Sequence, residues 1–146
     1  MRGALLSIKP RYAERILAGD KTVELRRRVP ACRPGDIVVV YESSPTMAIV
    51  GVARVSDVEC RAPSSLWESV KTTAGVTRSE FRSYFTGSKS AYAIHLSDVH
   101  SLRKPLHLRE IQDSFPEFRP PQSWCYLQSL PTALLSGIRR RARLHS

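Results

Sequence analysis

The sequence predicts an α+β domain: a small, partly closed β-barrel of five or six mostly antiparallel strands, with two to four short helices outside it. Strand-like runs rich in β-branched residues, such as "IVVVYE" and "MAIVGVARVSDVE", recur between turn residues. The helical stretches are short and bounded by proline, glycine or a capping box. At 146 residues, with 42% hydrophobic and 25% charged residues, the chain has the size and composition of one globular domain. Closing a strand-rich chain of this size into a barrel removes exposed sheet edges.

"ALLSIK" reads as the first strand, after which Pro10 can open a helix, where its missing N–H costs nothing, and Gly19 ends it. Tyr12, Ala13, Ile16 and Leu17 share the inner face of that helix, and Lys9, Arg11, Glu14 and Arg15 face outward. A Gly19-Asp20 turn leads into a strand in which Val23 and Leu25 point one way and Thr22, Glu24 and Arg26 the other. Pro34-Gly35-Asp36 is a turn, Ile37 to Tyr41 a strand buried on both faces, and "MAIVGVARVSDVE" a long strand bent at Gly51.

Ser64 or Ser65 can cap a short helix through Trp67, a core residue, and Val70. Thr77 to Glu80 is a capping box opening a second helix through Phe81 and Phe85 to Gly87. "SAYAIHLSDVH" returns as a strand. "RKPLHLREIQDSFPEFRPPQSWCYLQSLP" is proline-rich and predicts mostly irregular structure, and "TALLSGIRRRARLHS" a final helix fraying into a basic tail. The chain divides into a domain over residues 1–130 and a basic helix or tail over 131–146.

Lys and Arg total 23 against 13 Asp and Glu, a formal net charge of +10, and arginine dominates the basic set. That balance favours partners offering phosphates or carboxylates, with nucleic acid, RNA or DNA, as the leading class; the alternative is a basic surface serving solubility alone. Cys32, Cys60 and Cys125 form no CxxC pair, which predicts a reducing, cytoplasmic setting rather than a disulfide framework. His95 reads as structural, and His100, His107 and His145 show no acidic or cysteine partner at ligand spacing, so neither metal nor cofactor is expected. No apolar run is long enough for a membrane span, so no membrane partner is expected.

Gly19, Lys21, Glu24 and Arg26 together spell GxKxxExR, which resembles the signature of the ASCH domain family, a branch of the PUA-like fold. The resemblance extends over roughly residues 3 to 128, through "IVVVYESSPTMAIVGVARV", "YAIHL" and "PPQSWCYL". It implies a pseudo-barrel with a cleft beside the motif turn that meets RNA or one nucleotide. Relatives similar to N4-acetylcytidine amidohydrolases combine the motif lysine with a threonine and a glutamate; this chain has Glu24 and Ala74 at those positions, which disfavours that activity. Other members are ribonucleases. That keeps a metal-independent ribonuclease as the alternative, with Lys21 stabilising the phosphorane, Glu24 as base, and Ser123 or Tyr126 assisting.

Lys21 suits a phosphate or, if buried, proton transfer; otherwise it is a solvated turn lysine. Glu24 and Arg26 are neighbours on one strand face, able to pair across the barrel mouth or converge on a ligand, and Lys9, before the first helix, is a further ligand-binding candidate. Arg27 and Arg28 read as a solvated basic face. Ser43 and Ser44 of "YESSP" offer hydroxyls to a ligand or form a simple turn. Behind two prolines, Gln122 can read a base edge, Ser123 make a polar contact, and Trp124 or Tyr126 stack on a base; alternatively the aromatics close the core. Arg139, Arg140, Arg141 and Arg143 lie on nearly every face of one turn. They suit a phosphate clamp, a protein-binding tail or a solubilising end.

Overall fold

The computed structural model describes residues 1–143. Six strands form one mixed sheet: β1 (Gly3–Ile8), β2 (Val23–Arg26), β3 (Ile37–Glu42), β4 (Ala48–Arg61), β5 (Ala91–His107) and β6 (Trp124–Tyr126), in the order β2-β5-β4-β3-β1-β6. β1 and β3 run parallel, and the other four adjacent pairs antiparallel. Parallel neighbours need a crossover. Here helix α1 (Pro10–Ala18) and β2 make that excursion, so the GxKxxExR turn sits inside the crossover. The two longest strands, β4 and β5, slip register at Ile49/Gly51, Val52/Arg54 and Val55/Asp57, and such bulges curl the sheet into a half-barrel.

Five α-helices stand among the described residues, more than the two to four expected. α1 opens on Pro10 and ends at Gly19, whose φ of 85° is the left-handed cap that glycine adopts without strain. α2 (Pro63–Val70) is capped by neither Ser64 nor Ser65: it starts at Pro63, whose fixed φ is preorganised for the first turn, with Ala62 as the N-cap. α3 (Arg78–Tyr84) carries the expected capping box, Thr77 Oγ1 accepting from the Glu80 amide at 3.1 Å and Glu80 Oε1 from the Thr77 amide at 2.9 Å. The segment read as irregular continues β5, with Leu106 opposite Ile49 and His107 opposite Ala48, and then forms α4 (Leu108–Ser114). Long-range pairing with β4 overrides the local proline signal at Pro105.

Alternation along β3 feeds two hydrophobic clusters, Ile37, Val39 and Tyr41 on one side and Val38 and Val40 on the other. A third cluster packs Val23 and Leu25 of β2 beneath α2 and α3. α5 (Thr132–Ala142) corrects the reading of the final segment as an all-round basic turn: Leu134, Ile138 and Ala142, at i, i+4, i+8, are buried in the first cluster. Arg141 donates to the carbonyls of Lys104 and Pro105 and lies 3.6 Å from Glu110, so it braces the helix. Arg143 caps α5 in the left-handed region; His145 lies outside the described residues. Ile138→Ala should therefore cost about 2–5 kcal/mol, read by chemical denaturation, whereas a loose tail would lose nothing.

Candidate active site

The motif turn delivers Lys21 into the interior. After the Gly19 cap, the Asp20 and Lys21 amides both donate to the Arg15 carbonyl, which turns the Lys21 side chain under the loop that follows α2. Only 2% of Lys21 is exposed. Its ammonium donates to the Ala74 carbonyl and lies 3.9 Å from Glu24 Oε1. Gly75, at φ 65°, lies against the lysine stem: a Cβ there would stand 2.9 Å from Lys21 Cβ and 3.1 Å from Cγ. Burial pushes the Lys21 pKa below its ordinary value; Glu24 opposes that shift, and the Arg15 and Arg26 charges add to it.

Glu24 and Arg26 project from the same face of β2 and are both buried. Arg26 Nε and Nη2 donate to Glu24 Oε2 at 3.1 and 2.9 Å. Its Nη2 also reaches the Ser7 carbonyl on β1 at 2.9 Å, and Nη1 the Ser123 hydroxyl at 3.0 Å and carbonyl at 3.3 Å. A guanidinium has five N–H groups. Those of Arg26 are occupied by protein acceptors, so of the two roles open to it, pairing with Glu24 or converging on a ligand, the structure shows the pairing: Arg26 fixes the carboxylate and ties three segments together. Glu24 Oε1 is left facing Lys21.

These groups line one wall of a cavity of about 350 Å³, with Ser123, Gln122 and Lys9 at its edge. The facing wall comes from α1 and α3, which place Tyr12, Glu80 and Tyr84 there. None of the three was named as a site residue from sequence. Glu80 accepts from the Tyr12 hydroxyl at 3.1 Å and from Arg11, and the capping bond from the Thr77 amide leads the causes that draw its pKa down to about 2. It is a fixed anion near neutral pH. Its part in the capping box was legible; its reach to Tyr12, 68 residues away, was not.

Other expected residues lie elsewhere. Ser43 and Ser44 are not among the cavity-lining residues; the Ser43 amide donates to the Ile8 carbonyl of β1 at 2.9 Å, and the Ser43 carbonyl accepts from the Thr46 amide at 3.1 Å, closing a turn. Trp124 packs against the second hydrophobic cluster and meets Tyr126 edge-on at 5.1 Å, and the Tyr126 hydroxyl accepts from the Ala31 amide. Neither aromatic lines the cavity, because β6 pairs with β1 and turns them to the sheet edge. Arg27 does not simply face solvent: β2 ends at Arg26, which frees Arg27 to lie over the Tyr84 ring. His95 bonds to Glu59, and His100 has an acidic partner after all in Asp98 at 2.9 Å. No cluster of three His, Cys, Asp or Glu able to hold a metal occurs among the described residues.

The family model of the ASCH domain matches residues 6–105. This chain belongs to the ASCH domain family. A Zymomonas mobilis protein named an ASCH domain-containing ribonuclease is 30% identical over 135 residues, covering 92% of this chain and 90% of that one. The crystal structure of an ASCH protein from the same organism superposes with a TM-score of 0.83 at 28% identity, over 91% of this chain and 90% of that one. At the level of fold alone, this ASCH domain resembles human THYN1, solved with DNA containing 5-methylcytosine, with a TM-score of 0.60 and 11% identity over the whole of both chains. The PUA-like half-barrel is therefore the architecture that the resemblance implied.

Arg26→Ala should destabilise this ASCH domain by about 3–5 kcal/mol in urea titration, since it strands a buried carboxylate and releases Ser7 and Ser123. Gly75→Ala, strained by its positive φ and crowding the lysine stem, should cost about 1–3 kcal/mol by the same measurement.

Proposed function

We propose that this protein binds RNA with one nucleotide in the cleft and cuts the phosphodiester there without a metal ion. The observation that carries the reading is the buried Lys21 ammonium 3.9 Å from Glu24 Oε1, on the wall of a cavity large enough for a small ligand. A lysine meant only to attract phosphate works best charged and solvated. One whose pKa is lowered by burial beside a fixed carboxylate is suited to proton transfer and to charge that develops in a transition state. The Zymomonas mobilis relative named a ribonuclease, matching along nearly its whole length, supports the same reading.

In this mechanism Glu24 Oε1 takes the proton of the ribose 2′-hydroxyl as that oxygen bonds to phosphorus. The P–O5′ bond breaks, and the Lys21 ammonium first balances the phosphorane charge and then protonates the departing 5′ oxygen. The products are a 2′,3′-cyclic phosphate and a 5′-hydroxyl. Proton transfer from Glu24 to the neutral Lys21 amine resets the pair. Arg26 positions Glu24, and the Ser123 hydroxyl, which accepts from Arg26, keeps its own proton to donate to a phosphate oxygen. Arginines 139, 140 and 143 would add salt-sensitive affinity on another face.

Incubating labelled RNA and DNA with EDTA-treated protein tests this. RNA should be cut to cyclic-phosphate ends and DNA, lacking the 2′-hydroxyl, should remain intact. Lys21→Met should lower the rate about 10²–10³-fold and Glu24→Gln about 10²–10⁴-fold, with folding checked by circular dichroism. Binding without Lys21-dependent cleavage would leave a recognition module, and acetate release from N4-acetylcytidine would reinstate the amidohydrolase. Because the charged lysine is the active form, the rate should fall as pH rises through its lowered pKa. That basic limb should lie below 10.5 and vanish in Lys21→Met.

A further inference from the structure

Resting on that reading of the cleft, we infer that Tyr84 and Arg27 form its entrance subsite for single-stranded RNA, the tyrosine ring stacking on the base and the guanidinium meeting the adjoining phosphate. Tyr84 is one of only three large hydrophobic side chains exposed among the described residues, and at 37% exposure the only one of them lining the cavity. Its neighbours Phe81 and Phe85 are buried in the cluster under α3, so the helix fixes the ring at the mouth. Leu25, Val76 and Phe81 add apolar groups to the same lining, on which a base can rest, while Lys21, Glu24 and Ser123 supply polar ones.

Tyr12, the other tyrosine lining the cavity, is already engaged. Its ring has the Arg11 guanidinium 4.6 Å and the Lys21 ammonium 5.3 Å from its centroid, and its hydroxyl is bound to Glu80. The Tyr84 ring meets the Arg27 guanidinium, 4.6 Å from its centroid, and Phe85 edge-on at 4.8 Å, and its hydroxyl has no hydrogen-bond partner among the described residues. Arg27 Nε donates to the Tyr84 carbonyl at 2.7 Å, which holds the guanidinium in place while its terminal nitrogens meet no protein acceptor among the described residues. A guanidinium held this way loses little freedom on gripping a phosphate. Flat-ring stacking demands an unpaired base, so the subsite selects single strands over duplexes.

The experiment measures KM, kcat and binding for a short RNA single strand, the same RNA with one abasic nucleotide at the cleavage site, and its duplex, using wild type, Tyr84→Ala, Tyr84→Phe, Arg27→Gln and Lys21→Met. Tyr84→Ala should raise KM about 5–100-fold with much less change in kcat, and should bind abasic and intact RNA equally; Tyr84→Phe, which retains the ring, should restore both properties. Arg27→Gln should weaken intact and abasic RNA alike and flatten the log–log salt dependence by about one. The inference is overturned if wild type does not distinguish abasic from intact RNA, if it binds the duplex as tightly, or if Tyr84→Ala leaves KM unchanged while Lys21→Met still abolishes cleavage. Absence of any RNA binding or cleavage in wild type would overturn the cleft reading and this subsite together.

Discussion

Arg26 is the interaction on which the site depends. A single guanidinium holds the Glu24 carboxylate, the end of β1 through the Ser7 carbonyl, and the segment before β6 through Ser123. Each bond replaces one that water would otherwise supply, so the net gain per bond is modest; removing the hub is costly because the Glu24 carboxylate is then left buried without its partner. The arrangement also explains why a carboxylate and a lysine can share a small, mostly apolar pocket. Arg26 fixes one carboxylate oxygen, and the other is left to interact with Lys21.

Lys21 is held in opposition to its solvation preference. Desolvation disfavours the charged amine, and the attraction of Glu24 only partly offsets it, with two arginines working against. What keeps the side chain in place is largely apolar: the loop at Gly75 covers its methylenes, and Tyr12 faces its head. The backbone itself supplies the one acceptor in hydrogen-bond range among the described residues, the Ala74 carbonyl. Ala74 thus contributes to the site through its main chain, a role indifferent to side-chain identity.

That distinction shows why the sequence revealed one wall of the cleft and hid the other. Lys21, Glu24 and Arg26 were legible because strand alternation and a glycine turn are local rules acting over a few residues. Tyr12, Glu80 and Tyr84 belong to helices that meet the strand only in three dimensions, and each had a sufficient local explanation, as a core-facing aromatic, a capping glutamate and a helix-end residue. Trp124 and Tyr126 misled for the opposite reason: a proline-stiffened aromatic run looks like a ligand surface until its pairing with β1 is known. Likewise the arginines of α5 outweighed the quieter i, i+4, i+8 series of Leu134, Ile138 and Ala142 in the sequence, and the core decides which series orients the helix.

The parallel pairing of β1 with β3 has a temporal consequence. Between those strands lie the helix, the motif turn and β2, and the last acceptor that Arg26 needs is Ser123, 97 residues further along. Contacts so distant in the chain form late, because the entropy of closing the intervening loops must be overcome before they contribute. During synthesis, therefore, the motif emerges early but remains an open, solvated strand. Its lysine keeps the properties of a free amine until the loop at Gly75 has been made and has packed over it.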